Sequence, residues 1–215
     1  MPVFVIGDVH GHAEALERIV TRSNPGSQDI VIQLGDCINR GPASFEVVEY
    51  WLNFSRCQRF VLGGNHEELM YDYLAESSDA IFDYGGGQTI QSYRRHGWDC
   101  LPGKPDSVPP DHLQFYLQTL PWTRGLLVTS HYIFTHAGYD FARTRKQQDI
   151  HTLRWGRVTG WSKGLPTVVR GHTPHRSVTI KPGVINVDTG CGLGGRLSCI
   201  ELESERVIAE RTDNG

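Results

Sequence analysis

Five short apolar runs in this 215-residue chain end in the same manner. Residues 3–6 lead to Gly7, Asp8 and His10. Residues 30–34 lead to Gly35 and Asp36, and residues 60–62 to Gly63, Gly64, Asn65, His66 and Glu67. Residues 132–134 lead to Thr135 and His136, and residues 168–169 to Arg170, Gly171 and His172. Runs of this length, rich in Val, Ile and Phe, read as buried strands. Glycine then lets the backbone turn sharply where side chains must come close. In an α/β sheet, the residues just beyond the carboxyl ends of strands line the binding crevice. The pattern therefore predicts one cleft fed by five strand ends, into which carboxylates, an amide and imidazoles are aimed.

Helical patterns separate several of these runs. Ala13, Leu16, Ile19 and Val20 share one helical face. Pro42 stands at a first-turn position of a second helix, continued by Phe45, Val48 and Leu52. Leu69, Met70, Tyr73 and Leu74 mark a third. Leu113, Tyr116, Leu117 and Leu120 mark a fourth, ended by Pro121. Alternation of strand and helix indicates an α/β core. The tail differs: residues 184–187, 197–202 and 207–209 read as consecutive strands, so a mixed sheet is expected rather than a purely parallel one. Residues 85–87 and the proline-rich stretch 102–110 read as loops. No repeat or linker divides the chain, which is read as one domain over residues 1–215.

Composition narrows the classes. The chain is 39% hydrophobic and 21% charged, which excludes a disordered or fibrous protein. A formal net charge of −3 gives no general attraction to a nucleic-acid duplex or an anionic membrane. No apolar run approaches the roughly 18 residues of a membrane span, and no signal peptide is read at the N-terminus. The five cysteines are widely spaced, form no CxxC pair and read as reduced thiols of a cytoplasmic protein. Cys37 and Cys191 fall near the expected cleft. The remaining histidines, His12, His96, His112, His131, His151 and His175, have ordinary surface or packing readings.

The strand-end residues make a ligand set: two Asp, one Asn and three or four His. Hard oxygen plus imidazole donors suit Mn, Fe or Zn better than Ca or Mg. Six donors exceed what one cation with open positions needs, so two divalent ions sharing a carboxylate fit the count. Such a pair, about 3.5–4 Å apart, clamps a phosphoryl oxygen and generates a hydroxide near neutral pH.

The ordered blocks "GDVHG", "GDCINRG", "GGNHE", "THAG" and "RGHT" resemble those of the calcineurin-like metallophosphoesterases. The closest likeness is to the bacterial and phage branch of the serine/threonine protein phosphatases. It spans about residues 3–202, with supporting patches at 85–93, 155–157 and 186–202. The resemblance implies two mixed sheets packed face to face with helices outside, in α-β-β-α layers. It also implies that Asp8 and His10 hold a first metal, that Asp36 bridges, and that Asn65, His136 and His172 hold a second. His66 would protonate the leaving oxygen and Arg40 would grip phosphate oxygens. Arg157 would be a second clamp, with Arg154 competing for that role. A bridging hydroxide would attack phosphorus directly, with no phospho-enzyme.

Two positions depart from the pattern. Asn39 stands where this branch carries an Asp that orients the acidic histidine, and an amide brings no charge to stabilise an imidazolium. Gly63 stands where protein phosphatases usually carry an arginine. The related symmetrical dinucleoside tetraphosphatases also lack that arginine, whereas Glu67 follows the protein-phosphatase pattern. The first expectation is thus a serine/threonine-type phosphatase acting on phosphoproteins or small aryl phosphates. A dinucleoside polyphosphate hydrolase is the rival enzyme, and a metal-binding protein with a degenerate site is the reading of another class. The sequence does not indicate an oligomeric state.

Overall fold

The computed structural model describes residues 1–119 and 125–212. In chain order, the first half runs β1 (Val3–Ile6), α1 (Ala13–Ser23), β2 (Ile30–Gln33), α2 (Ser44–Asn53), β3 (Gln58–Val61) and α3 (Asn65–Glu76). Next come a 3-10 helix (Asp79–Tyr84), α4 (Gly86–Arg95) and α5 (Pro110–Thr119). The second half carries β4 (Leu126–Val128), β5 (Tyr132–Thr135), β6 (Tyr139–Asp140), α6 (Ile150–Trp155), β7 (Val158–Thr159) and β8 (Thr167–Arg170). It closes with β9 (Thr179–Lys181), β10 (Val184–Asn186), β11 (Arg196–Glu201) and β12 (Arg206–Arg211).

Two five-stranded mixed sheets form, ordered β12-β11-β1-β2-β3 and β4-β5-β8-β10-β9, and β6 pairs with β7 apart from them. In the first sheet β1, β2 and β3 are parallel and in register, so Ile6, Gln33 and Val61 end side by side. The terminal pair β11 and β12 returns antiparallel along β1. In the second sheet β5, β8 and β10 are parallel, with Phe134 beside Val169 and Val169 beside Ile185. The loops that follow these parallel strands therefore leave each sheet along one edge.

Strand alternation sorts the core into layers. Phe4 and Ile6 of β1 turn toward the helices, packing with Leu16, Val47, Trp51, Met70 and Tyr93. Val5 turns the other way and joins Ile32, Leu34, Phe134, Val169, Ile185 and Ile200 between the sheets. Behind the second sheet lies a smaller cluster of Leu126, Ile133, Tyr139, Leu153 and Val168. The result is the expected α-β-β-α sandwich.

Each strand expected from the sequence is present, shifted by a residue or two at its ends. Pro42 is a correction: it precedes the helix boundary at Ala43 and lies in the turn before α2. Gly86 and Gly87 also depart from expectation, since they open α4 instead of forming a loop. Leu120 and Pro121 lie outside the described residues. Strands β4, β6, β7 and β9 were not expected; with two or three residues each they are too short to show a period. Among the described residues no helix is long and apolar enough to cross a membrane.

Phe134 is buried between the sheets. Phe134→Ala is expected to lower unfolding free energy by about 3–5 kcal/mol, the cost of an unfilled aromatic cavity, as read by urea denaturation.

Candidate metal centre

The expected cleft residues other than Arg154 and Arg157 stand on loops at the carboxyl ends of the parallel strands, or on the first turn of α3. Asp8 and His10 follow β1; Asp36, Asn39 and Arg40 follow β2. Asn65 and His66 open α3, while His136 follows β5 and His172 follows β8. Backbone hydrogen bonds join these loops. Val9 N and His10 N both donate to the Asp36 carbonyl, at 3.0 and 2.9 Å, and Gly171 N donates to the His136 carbonyl at 2.8 Å. The fully buried Glu67 carboxylate accepts from the backbone N–H groups of Asp36, Cys37 and Gly64, at 2.9, 2.7 and 2.8 Å. That one side chain fastens the loop after β2 to the start of α3.

The backbone is held in an unusual state here. His10, Asp36, Asn39, Arg40 and His172 all have left-handed φ, between 47° and 70°. Non-glycine residues rarely adopt that region, and they persist there where surrounding structure over-determines them. Two glycines make room for the carboxylates: a Cβ at Gly64 would strike Asp36 Oδ1, and one at Gly171 would strike Asp8 Oδ1.

Donor atoms converge on Asp36. Its Oδ2 lies 3.6 Å from His10 Nε2, 3.7 Å from His66 Nε2 and 3.4 Å from His136 Nε2. Asn65 Oδ1 lies 2.9 Å from His136 Nε2 and 3.0 Å from His172 Nδ1. Two groupings follow, His10–Asp36–His66 and Asp36–His136–His172, each with ligand atoms within 4.8 Å of one another and Asp36 in both. Asp8 Oδ2 accepts from His172 N at 2.9 Å, while its buried Oδ1 has no hydrogen-bond partner.

This donor set fits divalent cations. His10 Nδ1 faces the Ile38 carbonyl at 3.0 Å and His136 Nδ1 faces the Leu34 carbonyl at 2.8 Å; donation there leaves each Nε2 lone pair turned into the centre. Burial, reinforced by the Arg40 guanidinium, pushes His10 down to about 3. Burial and the Arg170 cation take His172 to about 4. Burial also lowers His136 and His66 well below the usual imidazole range. The rings are thus neutral at pH 7, the form in which an imidazole can bind a cation. Conversely, burial and neighbouring carboxylates push Asp8 and Asp36 well up, a cost that positive charge in the cleft would relieve.

Arg40 reaches into the same space, with Nη1 3.0 Å from His10 Nε2 and Nη2 3.4 Å from His66 Nε2. On its far side, His66 Nδ1 lies 2.8 Å from Asn39 Nδ2, and Thr89 Oγ1 donates to Asn39 Oδ1 at 2.7 Å. The ring is held by an amide dipole and faces no anion there. Arg157 is exposed and lines a cleft of about 420 Å3 with Arg170, His175 and Lys181. Among the described residues no hydrogen bond joins Arg157 to the six converging side chains. Arg154 is buried and paired with Glu68 at 2.7 Å. A side chain at Gly63 would run into the Thr119 carbonyl at the end of α5, so packing alone forbids an arginine there. Cys37 and Cys191 are buried, and burial holds both thiols protonated.

Sequence reasoning missed three residues. Asp188 is buried after β10, and burial raises its carboxyl. It raises Asp8 in turn, by charge repulsion. Its placement depends on the second sheet's register, though its position one residue past an apolar run was a usable signal. Glu67 was read only as a family marker. Thr89 carried no local signal.

The chain's residues 1–197 match the family model of the calcineurin-like phosphoesterases. Serine/threonine-protein phosphatase 1 of Salmonella typhimurium is 27% identical, over 94% of this chain and 92% of the relative. A symmetrical bis(5'-nucleosyl)-tetraphosphatase of Citrobacter koseri is 25% identical, over 98% and 94% respectively. The crystal structure of a presumed diadenosine tetraphosphatase superposes with a TM-score of 0.74 at 22% identity, covering 100% of this chain and 95% of the other.

Two outcomes are expected. Glu67→Gln trades an acceptor oxygen for an amide that confronts backbone donors. It should cost on the order of 3 kcal/mol in thermal unfolding and reduce the bound metal found by elemental analysis. Gly63→Arg should lower the melting temperature and fail to raise turnover, because of the Thr119 carbonyl.

Proposed function

This chain belongs to the calcineurin-like phosphoesterases, and from that premise we propose that it is a phosphoprotein phosphatase of the serine/threonine type that also hydrolyses aryl phosphates. Asp8, His10 and Asp36 would hold one divalent ion; Asp36, Asn65, His136 and His172 would hold the other. Oxygen and imidazole donors suit Mn, with Fe or Zn as alternatives. When bound, the two ions supply charge for the phosphoryl oxygens and acidify a water for in-line attack. The observation that carries this reading is Asp36 Oδ2 facing three imidazoles drawn from both sheets, at 3.4–3.7 Å.

The protein's own groups complete the reaction. Arg40, fixed beside His10 and His66, offers a planar fork to phosphate oxygens and thereby orients the ester. His66 Nε2 faces the same space, where it would donate a proton to the departing oxygen. Asn39 positions the ring without charge, so the imidazolium form is weakly supported. The consequence falls on substrates whose leaving oxygen needs a proton most, the alkyl esters; aryl leaving groups need little help. Arg157 would meet the substrate further out, in the cleft it shares with Lys181.

Asn39 favours a second reading, the hydrolysis of dinucleoside polyphosphates, since a phosphate leaving group also needs little protonation. The Citrobacter koseri relative carries that activity in its name. Packing against Thr119 accounts for Gly63, so that position no longer speaks for either substrate.

Mn-loaded protein is expected to hydrolyse an aryl phosphate well above a His66→Asn control, and chelation should abolish the activity; rates equal to the control would end the proposal. At equal metal loading a phosphopeptide should be the better substrate, and over tenfold better efficiency on a dinucleoside tetraphosphate would reverse the ranking. Asn39→Asp should raise turnover of a phosphoserine peptide by about tenfold, a fraction of the 10²–10⁴ available from general acid catalysis, with a smaller gain on aryl phosphates.

A further inference from the structure

The 3-10 helix over Asp79–Tyr84 ends at the edge of the metal centre, and its last residue takes a place that the chemistry above leaves unassigned. The Tyr84 ring meets His66 edge-on, with centroids 5.9 Å apart and planes at 88°. It meets Trp155 in the same way at 5.5 Å, and Trp155 in turn meets His172 at 6.1 Å. Two aromatic rings thus stand as a wall along one side of the centre, from His66 to His172. Tyr84 keeps 38% of its surface exposed.

The wall is built rigidly. Trp155 Nε1 donates to Glu68 Oε2 at 3.0 Å, and Glu68 sits on α3, the helix that carries Asn65 and His66. Gly85, directly after Tyr84, accepts from Arg40 N at 3.0 Å through its carbonyl. Its left-handed φ of 83° turns the chain at the point where Tyr84 must face the cleft. The same loops that place the phosphate-binding arginine and the histidine acid therefore place these rings.

We propose that Tyr84, backed by Trp155, is a specificity residue that receives an aromatic ring carried directly on the ester oxygen, as in phosphotyrosine. This rests on the reading of His66 as the group facing the leaving oxygen. A ring bonded to that oxygen would emerge beside His66, the ring that the partly exposed Tyr84 meets edge-on. Aromatic pairs favour offset or edge-to-face contact at centroid distances of about 4.5–7 Å, which suits a third ring entering against Tyr84. A serine ester presents only a methylene there. A nucleobase is separated from its phosphate by a ribose and would pass beyond the wall. The choice agrees with Asn39: a phenolate departs without a strong acid.

The test compares a phosphotyrosine peptide with a phosphoserine peptide of otherwise identical sequence, on Mn-loaded wild type, Tyr84→Leu and Tyr84→Phe. Tyr84→Leu should lower the phosphotyrosine-to-phosphoserine ratio of kcat/KM about three- to tenfold, through KM, in line with the worth of one aromatic pair. Tyr84→Phe, which keeps the ring, should hold the ratio within twofold of wild type. A peptide bearing a non-hydrolysable phosphotyrosine mimic should change Trp155 fluorescence in wild type and bind correspondingly weaker to Tyr84→Leu, measured on protein whose melting curve is intact. An unaltered ratio in Tyr84→Leu, with wild type active on both peptides, overturns the inference while the phosphatase reading stands. A larger loss on a dinucleoside tetraphosphate than on phosphotyrosine also overturns it. Absence of hydrolysis on every ester by wild type defeats the underlying reading instead.

Discussion

One buried carboxylate holds the centre in shape. Glu67 accepts three backbone N–H groups, two from the loop after β2 and one from the residue before α3. Without it, Asp36 and the Asn65–His66 pair would belong to two independent loops. With it, the two segments are joined, and Asp36 Oδ1 also accepts from His66 N at 3.1 Å. Burial pushes the Glu67 carboxyl up and the three donors pull it back, so the ionised form depends on loops that it also organises. Around it, five site residues sit in left-handed backbone. Each such residue costs of order 1–3 kcal/mol, and the network of short contacts holds them there.

Much of this was legible in the sequence, because the site was built from local signals. An apolar run, a glycine and a ligand are adjacent in the chain, and parallel strands in register carry that adjacency into space. Asp8, His10, Asp36, Asn65, His66, His136 and His172 come together for that reason. What stayed hidden depends on partners far apart in the chain. Thr89 reaches Asn39 across fifty residues, the Thr119 carbonyl blocks Gly63, and Tyr84 meets Trp155 only after α6 packs beside α3. Gly63 is the instructive case: a missing arginine looked like a clue to substrate, and packing is a sufficient cause. Arg157 lies exposed in a cleft with Arg170 and Lys181, a placement that its motif position alone did not indicate.

Asn39 and Tyr84 both contact His66, the residue proposed to protonate the leaving oxygen. With His66 as the acid, the amide would withhold the charge that supports an imidazolium, while the aromatic wall would offer apolar surface to the leaving group. Either alone would be a neutral variation. On the proposed reading, the two together would suit leaving groups that depart without much protonation. The side chains expected to hold cations and phosphate, Arg40 among them, are all present.

The two sheets meet at this centre as well as in the apolar layer between them. His136 Nδ1 faces the Leu34 carbonyl across the interface, and His172 N donates to Asp8 Oδ2, so each sheet supplies groups that complete the other's loops. Phe134, two residues before His136, and Leu34, two before Asp36, pack in the same inter-sheet cluster. Ligand geometry and inter-sheet packing are therefore one constraint expressed at two points. Cations bound between Asp36 and the histidines of both sheets would cross-link them, and binding to the folded state alone adds to its stability by mass action. On that reading, a substitution that loosens the apolar layer would weaken metal affinity even where no ligand is touched, because the same packing sets the distance between Asp36 and His136.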